Sequence, residues 1–238
     1  MGNATRNIAP SHGPRQNRKY SIIIPAAGLG VRMKKYGPKS LTKITKTETI
    51  LSRQLKIINN TFRWYEIILV TGFLHDKVQQ NVPKHVKLVY NSNYEDTNIA
   101  HSLGLGLKQR STNNVIILYG DLVFNKHIFN LQLHQTSCAV LADSMKTEEI
   151  GCNVDEGYLQ QMFYDINNKW GQILFLQDNE LDMMTELTNN SDNAMCFGFE
   201  IVNKILEHNG KFQTIKPNKA KILDIDTSLD LRHIGHII

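Results

Sequence analysis

Five runs of apolar, largely β-branched residues recur along the chain, over 20–25, 66–71, 86–90, 114–119 and 137–142. Each has the length of a strand, and each is near-continuous, without the polar alternation of a sheet that has one wet face. Such strands have to be covered on both sides. Segments of helical period lie between them and supply the cover. Residues 49–58 place Ile50, Leu51, Leu55, Ile57 and Ile58 on a helical face, and residues 98–108 repeat Ile99, Leu103 and Leu107 at intervals of four. Strands alternating with helices imply right-handed βαβ crossovers and an α/β fold with a mainly parallel sheet.

After about residue 143 the pattern changes. Strand-like runs at 158–164 and 172–177 flank Asp165–Gly171, whose Asn167, Asn168 and Gly171 suit a hairpin turn. Residues 194–200 and 221–225 read as further strands, and Thr227 or Ser228 as the cap of a short final helix. The expected organisation is a disordered basic arm over 1–19, then one domain over 20–238 with a hairpin insertion at about 150–180. A chain of 238 residues suits one such domain.

Charge narrows the partners. The net charge is +5, but Arg6, Arg15, Arg18 and Lys19, with no acid among residues 1–19, supply four of those charges. The remainder is nearly neutral, which argues against a nucleic-acid face. No run approaches the roughly 20 apolar residues of a membrane helix, and the N-terminus lacks the apolar stretch of a secretory signal. Cys138, Cys152 and Cys196 are odd in number and widely spaced, which suits a reducing compartment better than a disulfide framework or a zinc site. The expected location is the cytoplasm.

The most informative stretch is the first strand with the loop behind it. The run Ile22-Ile23-Ile24-Pro25 opens into Ala26, Ala27, Gly28, Leu29 and Gly30, then Arg32, and later Gly37-Pro38-Lys39. Small residues let backbone N–H groups close on phosphate oxygens. Arg32 can grip phosphate with two donors, whereas Lys39 brings a mobile point charge. Lys34 stands where a Rossmann GxGxxG would need its third glycine, and the spacing is not a Walker A loop either.

Taken whole, Ala26-Ala-Gly-Leu-Gly-Val-Arg-Met followed by Gly37-Pro-Lys-Ser-Leu resembles the signature of the sugar-phosphate and alcohol-phosphate nucleotidyltransferases. Later segments resemble that family in the same order. Val70-Thr-Gly-Phe is similar to a strand-ending segment. Asn91-Ser-Asn-Tyr-Glu-Asp-Thr-Asn-Ile-Ala-His-Ser-Leu103 is similar to its cytidylyltransferase branch, which includes phosphocholine cytidylyltransferase. Leu118-Tyr-Gly-Asp121 and Leu223-Asp-Ile-Asp226 resemble the two places where the family keeps metal-binding aspartates. The resemblance implies a Rossmann-like mixed sheet of the GT-A-like nucleotidyltransferase kind with a small β-hairpin appendage. It also implies an NTP and a small phosphorylated acceptor as substrates, with Mg2+ as cofactor.

On that reading Arg32 and Lys39 carry catalysis. Ala26, Ala27, Gly28, Leu29, Gly30, Asn98 and Ser102 hold the nucleotide, and Asp121 and Asp226 hold the metal. Asp121 and Asp226 each follow a strand, where ligands bind in open α/β sheets. Taken alone they also read as a turn residue and a helix cap. Asn98 reads equally as a base contact or a cap. The acceptor side is less defined: Tyr158, Lys169, Trp170 and Asp224 are its candidates. Trp170, at the expected hairpin tip, reads as a surface aromatic or as a cation–π cover for a quaternary ammonium. Many family members carry a lysine near the end of the central hairpin. Residues 173–179 contain none, and Lys169 is the substitute. The short span between Glu200 and Asp224 suggests a reduced acceptor pocket, or one completed by a second subunit in a homodimer.

CTP and an alcohol phosphate such as phosphocholine are the favoured substrates. A sugar-1-phosphate nucleotidyltransferase using UTP, dTTP or GTP is the first alternative. A glycosyltransferase fits less well, because Asp121-Leu-Val is no DxD motif and Asp224-Ile-Asp226 lies at the wrong end of the chain. A non-catalytic nucleotide-binding protein is the remaining alternative.

Overall fold

The structure, a computed structural model, describes residues 18–30, 32, 37–129, 136–142 and 149–237. The basic arm expected over 1–19 lies outside the described residues as far as residue 17, and Lys19 already belongs to the first strand.

Strand β1 (Lys19–Ala26) runs parallel between β2 (Trp64–Thr71) and β4 (Val115–Leu118), and β2 pairs parallel with β3 (Val86–Tyr90). The two faces of β1 explain its unbroken apolar run. Ile22 and Ile24 pack with Leu51, Leu55 and Ile58 of helix α1 (Ile50–Thr61). Ile23, between them, packs on the other face with Leu103 and Leu107 of a second covering helix. Each such fully buried side chain contributes about 1.5–3 kcal/mol of transfer free energy. Thr49 caps α1 in a reciprocal pair: its hydroxyl accepts from Ser52 N–H at 3.1 Å, and the Ser52 hydroxyl accepts from Thr49 N–H at 2.8 Å. A short helix α2 (His75–Gln79) follows β2, and the second covering helix is α3 (Ile99–Leu107).

Beyond β4 the sheet turns mixed. In chain order come β5 (Leu122–Phe124), β6 (Cys138–Leu141), β7 (Ile150–Asp155), β8 (Tyr158–Tyr164) and β9 (Trp170–Leu176). Helices α4 (Asp178–Asn189) and α5 (Gly198–Glu207) follow, then β10 (Gln213–Ile215) and β11 (Ile222–Asp224). The large sheet has the order β3-β2-β1-β4-β9-β6-β10-β8-β7, while β11 and β5 form a separate antiparallel pair. The α/β, Rossmann-like, mixed and mainly parallel sheet is the class the sequence implies.

Two local expectations fail. The hairpin does not turn at Asp165–Gly171: β8 pairs back onto β7, and β9 pairs with β4 and β6. The turn is Glu156–Gly157, where φ values of 47° and 82° supply the two left-handed residues that a tight two-residue hairpin needs. The segment read as a strand over 194–200 is a loop as far as Phe197 and then the first turn of α5. There the Glu200 carboxylate accepts from the backbone N–H of Phe197 at 2.6 Å, and Ile201, Val202 and Ile205 form a buried helical stripe. The three cysteines are free, and burial pushes the thiols of Cys138 and Cys152 up to about 12. Among the described residues no helix is long and apolar enough to cross a membrane.

Helix α1 also fixes the turn between β4 and β5. Gln54, 1% exposed, donates its amide to the carbonyls of Tyr119 at 3.0 Å and Leu122 at 2.8 Å. Arg53 donates to the carbonyl of Phe124 at 3.1 Å. Replacing Gln54 by leucine leaves two carbonyls at that turn without their donor. Gln54→Leu should cost about 2 kcal/mol, a fall of roughly 4–8 °C in melting temperature for a chain of this size. An unchanged melting temperature would mean that α1 does not hold the turn.

Candidate active site

The ends of β1, β4 and β11 meet on one side of the sheet. Pairing of β11 with β5 sets Asp224 opposite Leu122, and Ile225 N–H donates to the carbonyl of Asp121 at 3.1 Å. This small sheet is what brings Asp121 and Asp226, 105 residues apart in sequence, to one place. The Asp226 loop is fixed in turn by Asp230, the first residue of a 3-10 helix (Asp230–His236). One of its carboxylate oxygens accepts from the backbone N–H groups of Asp226 at 3.0 Å and Thr227 at 2.7 Å. The hydroxyl of Thr227 accepts from Leu229 N–H at 3.3 Å, but the helix has Leu229 at its N-cap with no side-chain cap, so neither Thr227 nor Ser228 is the cap that the sequence suggested.

Lys39 closes the arrangement from a 3-10 turn (Lys39–Leu41) that follows Pro38. Its ammonium lies 2.8 Å from Asp121 and 2.6 Å from Asp226. Burial works against the charged lysine, yet the two carboxylates outweigh it and hold the pKa above the ordinary lysine value. Arg32 reaches Asp226 at 3.7 Å with a largely exposed guanidinium. The second carboxylate oxygen of Asp121 is buried and, among the described residues, has no hydrogen-bond donor. Among the described residues no group of three or more His, Cys, Asp or Glu side chains forms a ready-made metal cage. Two carboxylates, one with an orphaned oxygen, do fit a magnesium ion that takes its other ligands from phosphate and water.

Two clefts meet at this point and share Asn98, Ile99, Tyr119 and Asp121. The smaller, about 220 Å³, is lined by Ala26, Ala27, Gly28 and Gly30 of the glycine loop, with Lys39, Asn98, Ser102 and Asp121. Leu29 lines neither cleft. Val31 and residues 33–36 of the loop lie outside the described residues. Asn98 does cap α3, its side-chain oxygen accepting from Ile99 N–H at 2.8 Å, and it lines both clefts as well. Asn91 is a site residue that the motifs do not single out. It is 1% exposed and its amide donates to Thr97 at 3.2 Å and Ser102 at 3.1 Å, fixing one wall. An asparagine just after a buried strand is the signal that could have found it.

The larger cleft, about 430 Å³, has an aromatic and acidic lining. Lys169 is no turn residue. It is 5% exposed, paired with Glu149 and, at 3.0 Å, with Asp224. Asp224, an acceptor-side candidate, thus forms an ion pair with Lys169 on the cleft floor. Trp170 is no exposed tip. It opens β9 at 3% exposure and packs edge-on against Tyr119, with ring centroids 5.4 Å apart. Tyr158 is not brought to the site: it stands at the turn end of β8, opposite Asp155, while Tyr164 at the other end lines the cleft. Six residues of strand separate them, roughly 20 Å. Phe197 and Phe199, hidden from a reading that makes their segment a strand, stand beside Tyr164, with Tyr164 and Phe199 rings 5.5 Å apart. Between them Gly198 makes room for Tyr119, since a Cβ there would sit 1.9 Å from the tyrosine hydroxyl. Burial, with Asp121 adding to it, drives the Tyr119 pKa far above the ordinary value, so that hydroxyl stays neutral.

Known proteins share this fold. Residues 22–192 match the MobA-like NTP transferase domain. The bifunctional protein GlmU of Alkaliphilus metalliredigens (strain QYMF) is 33% identical over 104 residues, 43% of this chain and 22% of that protein. The choline-phosphate cytidylyltransferase of Streptococcus pneumoniae (strain ATCC BAA-255 / R6) is 27% identical over 156 residues, 64% of this chain and 66% of that protein. The aligned regions thus span about a fifth of the first relative and just under two thirds of the second. In structure, the CTP:phosphocholine cytidylyltransferase from Streptococcus pneumoniae superposes with a TM-score of 0.76 at 19% identity, over 91% of this chain and 98% of that one. With the family match running from β1 to just past α4, well over half the sequence, the chain belongs to the MobA-like NTP transferase family.

Proposed function

We propose that the chain transfers a cytidylyl group from CTP to a small phosphorylated alcohol with a cationic head, of which phosphocholine is the test compound, and releases pyrophosphate. The observation that carries this reading is the contrast between two clefts that share Asp121. One is a small-residue loop with fixed positive charge, and the other an aromatic wall over an acidic floor. Tyr164, Phe197 and Phe199 offer ring faces to a cation, and on the floor the two carboxylates of Glu149 and Asp224 share the ammonium of Lys169. The similarity to a choline-phosphate cytidylyltransferase supports the same reading.

In this reaction an oxygen of the acceptor phosphate attacks the α-phosphorus of the NTP in line. One P–O bond forms as the bond to pyrophosphate breaks. The acceptor phosphate is already nucleophilic near neutral pH, so no side chain has to remove a proton. The protein's part is position and charge. The backbone of Ala26–Gly30 cradles the triphosphate, Arg32 clamps it, and Lys39 supplies a second cation once it leaves its two aspartates. Asp121 and Asp226 would hold a magnesium ion, which neutralises charge building on the phosphates. The walls around Tyr119 and Trp170 exclude water from the junction of the clefts.

A sugar 1-phosphate as acceptor is the second reading. It is favoured by the volume of the larger cleft, which this chain builds from its own residues despite the short span between Glu200 and Asp224. The lining, rather than the volume, is what supports the cationic alcohol.

Phosphocholine with CTP should exceed glucose 1-phosphate with UTP or dTTP by at least about tenfold in kcat/KM for pyrophosphate release, a difference of about 1.4 kcal/mol. The reverse order would sink the alcohol-phosphate assignment, and no release from any pair would sink the transferase reading. Asp121→Ala and Asp226→Ala should each fold and lose several kcal/mol of transition-state stabilisation. A variant that keeps more than about a tenth of the wild-type rate has lost no metal ligand.

A further inference from the structure

Strand β9 carries a distortion at the mouth of the larger cleft. Its pairing with β6 is regular from Phe175 opposite Cys138 to Leu174 opposite Ala139, then slips, so that Leu141 faces Trp170. Two residues of β6 are matched by four of β9, and the excess is taken up around Gly171 and Gln172. Gln172 has φ of +55°, in the left-handed region that glycine occupies freely and a side chain such as glutamine does not. Bulges of this kind re-aim side chains next to active sites. A non-glycine residue in a sparsely populated backbone region persists only where the surrounding structure over-determines it, and such residues cluster at active sites and ligand clamps.

Nothing structural accounts for the glutamine. Its side chain is half-buried, and among the described residues its amide makes one hydrogen bond, a long one of 3.4 Å to Asp224. Glycine would suit the backbone better. Yet the residue lines the larger cleft, next to the floor formed by Glu149, Lys169 and Asp224. A carboxamide there adds a neutral donor and acceptor where a third carboxylate would repel a phosphorylated substrate.

We infer that Gln172 is a specificity-determining residue that hydrogen-bonds the phosphorylated acceptor, and that the bulge with its left-handed backbone exists to present it. The inference rests on the acceptor reading of the larger cleft. Gln172→Gly relieves the backbone while removing the amide, so stability and recognition should move in opposite directions. The variant should melt no lower than wild type, with KM for phosphocholine raised about tenfold or more and KM for CTP within about twofold of wild type. Gln172→Asn tolerates the same backbone and keeps a shorter amide, so its acceptor KM should fall between the two. Wild-type acceptor kinetics in Gln172→Gly would overturn the inference and leave the functional reading standing. So would a lower melting temperature with CTP and acceptor affected alike, because that marks a structural residue. Wild-type protein that turns over no phosphorylated acceptor would overturn the functional reading and the inference together.

Discussion

The ammonium of Lys39 between Asp121 and Asp226 is the interaction on which the site depends. It ties the segment after the glycine loop to the turn after β4 and the end of β11, two stretches that the pairing of β5 with β11 already holds side by side. Two carboxylates within reach of one nitrogen repel each other, and without a cation between them the turn and the loop would be pushed apart. Everything around the bridge serves to hold its anchors. Gln54 and Arg53 reach from α1 to the backbone about Asp121, and Asp230 fixes the backbone of Asp226 and Thr227. The same two carboxylates suit a divalent cation, and the same lysine suits a triphosphate. On the proposed reaction, metal and substrate would take the places that these charged groups fill for one another in the bridge.

The fold supplies the rigidity this needs. Strands β1, β2 and β4 are packed on both faces, so their carboxyl ends cannot shift independently. The smaller cleft is built on those ends and on the N-terminus of α3. The larger cleft is built on the antiparallel half of the sheet and on the start of α5 with the loop before it, where the chain departs from simple alternation of strand and helix. The family match ends at residue 192, before Phe197, Asp224 and Asp226. The part of the site that would choose the acceptor draws heavily on the region beyond it.

This division also decides how much of the site is legible in the sequence. Ile22–Ile24 and their counterparts are legible because burial on both faces leaves only apolar choices, and the loop after β1 is legible because small residues leave its backbone open to the smaller cleft. Leu29 shows the limit of that logic, since a residue inside the motif need not line the cleft. Trp170 and Lys169 are hard to place because Asn167, Asn168 and Gly171 carry turn chemistry that the chain uses for a wide connection. The real hairpin turn, Glu156–Gly157, is flanked by strands that are polar on one face and so give weak signals. Phe197 and Phe199 are hidden because the apolar run around them resembles a strand when the contact of Glu200 with the Phe197 N–H, which marks the start of a helix, goes unread. Tyr158 and Tyr164 lie on one strand, and only tertiary pairing tells which end reaches the site.

The proposed chemistry turns on which oxygen attacks which phosphorus. The direct test is the reaction of CTP with phosphocholine whose phosphate carries 18O, followed by 31P NMR of the products. Attack by the acceptor phosphate on the α-phosphorus predicts isotope-shifted signals on both phosphorus atoms of the product, because a labelled oxygen bridges them, and unlabelled pyrophosphate. Label in the pyrophosphate, or a product whose two phosphorus atoms share no labelled oxygen, would contradict it.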